Sequence, residues 1–138
     1  RDRVCAVSNK THYNEMNVLS MHALIGAYQP QGYEWVDELN QVIQGNIDYF
    51  CDYVDEHFEG VGYSRPQGTY MVFLDCTEWC REHGRDIQWL LDEGARVGVG
   101  YQDGRPFHGP CHIRVNLALP LSRVKEACER LDRYVFGV

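Results

Sequence analysis

From Tyr33 to Phe58 the apolar side chains Trp35, Val36, Leu39, Val42, Ile43, Ile47, Phe50, Val54 and Phe58 recur every three or four residues. That interval places them along one face of a helix. A stripe of this length cannot be left in water, so the helix demands a second layer to lie against. Glu34, Asp37 and Glu38 suit its N-terminal end, where the helix dipole is positive. The remaining sequence is read as what supplies that layer.

Before this helix, from about His12 to Tyr28, the residues Met16, Val18, Leu19, Met21, Ala23, Leu24, Ile25 and Ala27 fall on more than one helical face. Such a helix needs cover on several sides. After Phe58, Gly60 and Gly62 break the pattern, and Pro66-Gln67-Gly68 forms a turn into Thr69–Asp75, a run rich in β-branched and aromatic residues that predicts a strand. A polar loop follows. Asp86 then caps a short helix carrying Ile87, Leu90 and Leu91, closed by Gly94. Val97 and Val99 begin a second strand, Gln102-Asp103-Gly104 turns the chain, and a third strand runs roughly from Cys111 to Leu117, paired with the second as a hairpin with a long connection. Pro120 ends it, and Val124, Ala127, Cys128, Leu131, Tyr134 and Val135 predict a final amphipathic helix. The expected fold is α+β: a two-layer small domain with a three-stranded, mainly antiparallel sheet, helices packed on one face, and long helices in front.

The chain has 138 residues, enough for one core. Its net charge of -7 opposes binding to nucleic acid or an anionic membrane. No segment is apolar for long enough to span a bilayer, and the expectation is a soluble, cytoplasmic protein. Cys5, Cys51, Cys76, Cys80, Cys111 and Cys128 fall inside predicted helices and strands, unlike the cysteines of a small secreted scaffold, so reduced thiols are expected. The first residue is Arg1, and the chain enters its first pattern almost at once. We expect a piece of something larger.

One residue breaks the apolar character of the third strand. Arg114 sits just past a glycine-bearing turn, Phe107-His108-Gly109-Pro110. A guanidinium stays charged at accessible pH and offers a planar fork that matches a carboxylate through two parallel hydrogen bonds. A structural ion pair with one of the twenty acidic residues is the competing reading. Cys76, Cys80 and His83, with Cys111-His112, have the look of a zinc site, but adjacent residues of a strand point to opposite faces, and no metal is expected. The histidines form no nucleophile–base pattern. His108 and His112 flank the turn before Arg114 and are expected chiefly to order it. The acidic run from Asp48 to Glu59 reads as a solvated helix face.

Four motifs resemble the C-terminal part of pyridoxal-phosphate enzymes of the class I and II aminotransferase fold, in the cystathionine β-lyase-like branch. They are Asn17-Val18-Leu19-Ser20 with Ala27-Tyr28; Gly32 to Leu39 with Asn46; Pro66-Gln67-Gly68-Thr69-Tyr70 through Leu74-Asp75; and Gly109 through Pro120. They occur in the family's order over nearly the whole chain.

The resemblance implies a two-domain enzyme acting on amino acids, a carbon–sulfur β-lyase or else an aminotransferase, homodimeric when complete. Residues 32–138 would be its small domain, and residues 1–31 an N-terminal segment and helix packing on a large domain that precedes Arg1. Arg114, within Arg114-Val115-Asn116, would hold the substrate's α-carboxylate, with Asn116 on the same strand face to brace it. The stretch Ser8 to Asn14 superficially imitates the family's lysine motif, but Lys10 stands too few residues ahead of Arg114, and the mimic carries an extra residue. The Schiff-base lysine, the aspartate that pairs with the pyridine nitrogen and the phosphate-binding loop are expected before Arg1. By this reading the chain contributes no catalytic, cofactor-binding or metal-binding residue, binds no pyridoxal phosphate alone and is inactive alone. A non-catalytic regulatory or interaction domain is the alternative from another class.

Overall fold

The computed structural model describes residues 2–11 and 16–138. The chain divides into two compact units, 1–39 and 40–138, with the boundary inside one long helix. In the first unit, helix α1 (Asp2–Thr11) was not anticipated, and helix α2 (Val18–Ala27) carries the apolar residues expected between 12 and 28 except Met16, which precedes its cap. Residues 12–15 of that expectation lie outside the described residues. The Asn17 side chain accepts from Ser20 N at 2.9 Å, satisfying one of the free N–H groups that open α2. Neither helix buries a residue, and Val18, Leu19 and Ile25 are more than half exposed.

Helix α3 (Pro30–His57) is the long amphipathic segment. Within the second unit its stripe buries Ile47, Phe50, Cys51 and Val54. Residues 62–116 form a four-stranded antiparallel sheet, one strand more than predicted: β1 (Gly62–Tyr63), β2 (Met71–Asp75), β3 (Gln102–Asp103) and β4 (His112–Asn116), in the order β1-β2-β4-β3. The two-residue edge strands are too short to show alternation, which is why sequence pattern missed one and misplaced the other.

Val97 and Val99 belong to no strand. The hairpin partner of β4 is Gln102–Asp103, which sequence pattern assigned to the turn, and the chain turns instead through a 3₁₀ helix at Arg105–Phe107. The stretch expected as a polar loop contains helix α4 (Thr77–His83), whose Trp79 and Cys80 are buried. Asp86 caps helix α5 (Ile87–Arg96) as predicted, accepting from Trp89 N at 2.8 Å. Gly94 does not close that helix. It lies within it, leaving room for the Tyr101 ring, whose hydroxyl donates to Leu90 O. The left-handed glycine that follows α5 is Gly98, at φ +76. Helix α6 (Leu121–Leu131) continues into a π-helical turn (Asp132–Phe136). The wider turn moves the buried stripe, so that Val135 and Phe136 are buried and Tyr134 is exposed.

The core lies between one sheet face and the helices. Val72, Leu74, Ile113 and Val115 alternate inward from β2 and β4 and meet Phe50 and Val54 of α3, Leu90 of α5, and Val124 and Leu131 of α6. Each such side chain contributes about 1.5–3 kcal/mol on burial. Asn46 is the one buried polar residue among them, and its Nδ2 donates to Leu117 O (2.9 Å) and Leu119 O (2.7 Å), tying α3 to the chain leaving β4. No helix of the described residues is long and apolar enough to cross a membrane.

Candidate functional site

Because Val72, Leu74, Ile113 and Val115 point into the core, their neighbours must point away from it. The register pairs Phe73 with Arg114, Asp75 with His112 and Met71 with Asn116, so these six side chains share the sheet face opposite the buried one. Arg114 stands between two strands, opposite Phe73 on β2 and Gln102 on β3.

Arg114 has no carboxylate or other hydrogen-bond partner among the described residues, and its Nε is buried with none. An unpaired buried donor costs about 1–3 kcal/mol, and among the described residues no acidic side chain offsets it. Its guanidinium carbon lies 4.1 Å from the centroid of the Phe107 ring, a cation–π contact.

Phe107 closes the 3₁₀ turn, which is held at several points. Gly104 N donates to His112 O (2.8 Å), Phe107 N to Gly104 O (2.8 Å) and Gly109 N to Gly104 O (3.1 Å). Arg105 grips Asp103 (2.7 Å) and reaches Gln88 Oε1 on α5 (3.1 Å). A Cβ at Gly109 would fall 2.5 Å from Phe73 Cζ and 2.6 Å from His112 Cβ, so only glycine lets the turn come this close. His108 takes φ 62 at the end of the turn and is exposed.

His112 packs its ring 4.7 Å from that of Phe73 and sets Nδ1 3.7 Å from Asp75 Oδ1. Burial alone would raise the Asp75 carboxyl. Hydrogen bonds from the Thr77 hydroxyl and backbone N–H, with His112 nearby, outweigh it and hold the group below the usual carboxylate range. Beside them is a shallow cleft of about 350 Å³, lined by Gly62, Tyr63, Ser64, Phe73, Asp75 and His112. Asn116 does not brace Arg114. Its Oδ1 accepts from Ala118 N at 2.8 Å and fixes the chain's exit from β4.

The other motifs settle elsewhere. Cys76 and Cys80 are buried in the core, and His83 stacks on Trp79 and bonds its carbonyl through Nδ1 (2.9 Å). Among the described residues no three His, Cys, Asp or Glu side chains gather as a metal-ligand set. The acidic face of α3 is more than solvated: Asp48 and Asp52 bind Arg65 at 2.6 and 2.8 Å, and Asp55 accepts from Tyr63 OH at 2.7 Å, which anchors β1 to the helix. Sequence reasoning missed Phe107, although its place just before the Gly109 turn was a signal. A second cleft, about 380 Å³, borders α6, where Arg123 and Arg130 both pair with Glu126.

Comparison with known proteins places this geometry. The family model described as Aminotransferase class I and II matches residues 6–131. A "Putative cystathionine beta-lyase" of Mycobacterium leprae is 34% identical over 118 residues, covering 74% of this chain and 28% of that protein. An aspartate aminotransferase of a Bacillus species is 28% identical over 122 residues, covering 84% of this chain and 30% of that one. The chain thus spans less than a third of the length of these curated relatives. Among solved structures, the PLP-bound C-S lyase from Staphylococcus hominis superposes with a TM-score of 0.79 at 22% identity, covering 96% of this chain and 35% of its own. Cystalysin from Treponema denticola gives 0.73 at 24% identity, covering 86% and 30%. With the family model matching residues 6–131 of 138, this protein belongs to the class I and II aminotransferase family.

Proposed function

We propose that residues 32–138 serve as the small domain of a pyridoxal-phosphate enzyme acting on amino acids, and that Arg114 holds the substrate's α-carboxylate. The observation that carries this reading is the unpaired guanidinium on the open sheet face. Pyridoxal phosphate, the family's cofactor, acts when bound as an electron sink at the substrate's α-carbon. Arg114 suits the substrate's carboxylate. Lys125 lies on α6 with its ammonium 5.2 Å from the Tyr49 ring centroid, in the helix layer. The cofactor's amine is assigned to the large domain and the grip on the carboxylate to residues 32–138.

That contribution is orientation. Two parallel N–H···O bonds from a planar fork fix the plane of a carboxylate and so the direction of the neighbouring bonds at the α-carbon. Holding reacting groups in this way is worth several powers of ten in rate. The names of the mycobacterial and staphylococcal proteins favour carbon–sulfur bond cleavage, and the Bacillus relative supports amino transfer as the second reading. A homodimer and a cytoplasmic setting complete the proposal. In the full-length enzyme, Arg114→Ala is expected to weaken amino-acid binding at least tenfold, as the loss of a charged hydrogen bond requires. Unchanged affinity in a titration would overturn the assignment.

A further inference from the structure

We propose that Phe107 is the positioning residue of this site: its ring covers one face of the Arg114 guanidinium and closes off Nε, so that a carboxylate is met only by the two terminal nitrogens. The proposal rests on the carboxylate role of Arg114 given above and adds the direction of approach.

An arginine can receive a carboxylate side-on, through Nε and one terminal nitrogen, or end-on, through both terminal nitrogens. Here Nε is buried and unpartnered, so the side-on edge is shut. The terminal nitrogens have no protein partner among the described residues, and neither is buried in that state. The end-on edge is therefore the open one. Phe107 is 46% exposed and fills no part of the core. Nevertheless its backbone is fixed by the Gly104 and Gly109 hydrogen bonds, and the turn is anchored to α5 through Arg105 and Gln88. A half-exposed aromatic residue on a turn held this firmly makes sense if its purpose is to hold the ring where it is. The contact, 4.1 Å from guanidinium carbon to ring centroid, keeps the guanidinium plane from swinging about its long side chain.

The test has two parts. In the 138-residue chain, the Arg114 Hε proton should show an upfield ring-current shift and slow exchange with water by NMR. Phe107→Leu should abolish both, while Phe107→Tyr and Phe107→Trp keep them. In the full-length enzyme, Phe107→Leu should weaken amino-acid binding by between about twofold and tenfold, the range of a cation–π contact expressed as affinity, with Phe107→Tyr restoring it. A leucine variant whose Arg114 Hε signal stays as in the wild type overturns the proposal. So does an enzyme in which Arg114→Ala weakens binding and Phe107→Leu does not. Should Arg114→Ala itself leave binding intact, the carboxylate reading fails, and the Hε signal alone still decides whether the ring holds the guanidinium.

Discussion

At the scale of single residues, two polar side chains take opposite roles. Arg114 leaves its donors unpaired, whereas Asn46 has its amide consumed by Leu117 O and Leu119 O. Removing the Asn46 amide strands the buried Leu117 carbonyl and unpairs the partly buried Leu119 carbonyl. Asn46→Ala should therefore cost about 2–3 kcal/mol, read as a lowered denaturation midpoint; a loss under about 0.5 kcal/mol would show that those carbonyls find other partners. Arg114 could be picked from sequence because a charge inside an apolar strand is a local anomaly. The part Asn116 plays could not, since period-two alternation gives the side of the sheet a residue faces but not which of several donors on that side it meets.

At the scale of elements, long periodic segments were legible and short ones were not. Helix α3, strands β2 and β4 and the Asp86 cap all follow from local pattern. The edge strands β1 and β3 are two residues long each, and what marks them is their pairing with β2 and β4, not any alternation of their own. Helix α4 escaped because seven residues with one buried pair do not make a period. The turn after β3 carries its own prediction. Gly109→Ala should push Phe73 and His112 apart and cost about 1–3 kcal/mol, as overpacking does, with the ring-current shift on Arg114 reduced in the same sample. A variant as stable as the wild type with that shift intact would contradict the tight approach.

At the scale of the whole molecule, the second unit is built on a core that includes several thiols. Burial, together with a hydrogen bond with Cys111 in the case of Cys80, pushes Cys80 from 9.0 up to about 12; burial pushes Cys128 equally far. The folded state thus holds these protons more tightly than the unfolded chain does. Stability from this source is complete below about pH 9 and is lost as the pH rises toward about 12. Denaturation followed from neutral to alkaline pH should show a flat profile and then a decline, and a profile still flat at about pH 11 would mean the thiols are not buried as described. The helical periodicity runs on past Leu39 and does not mark where one compact unit gives way to the other.

All of these scales serve one claim, that Arg114 is held ready for a carboxylate. The most direct measurement compares the affinity of the full-length enzyme for an amino acid with that for the amine lacking only the carboxylate, in the wild type and in Arg114→Ala. The account predicts a wild-type preference for the amino acid of about two powers of ten, the worth of a charged, bidentate hydrogen-bonded pair, and its collapse to near unity in the variant. A preference that survives the loss of Arg114 would contradict it.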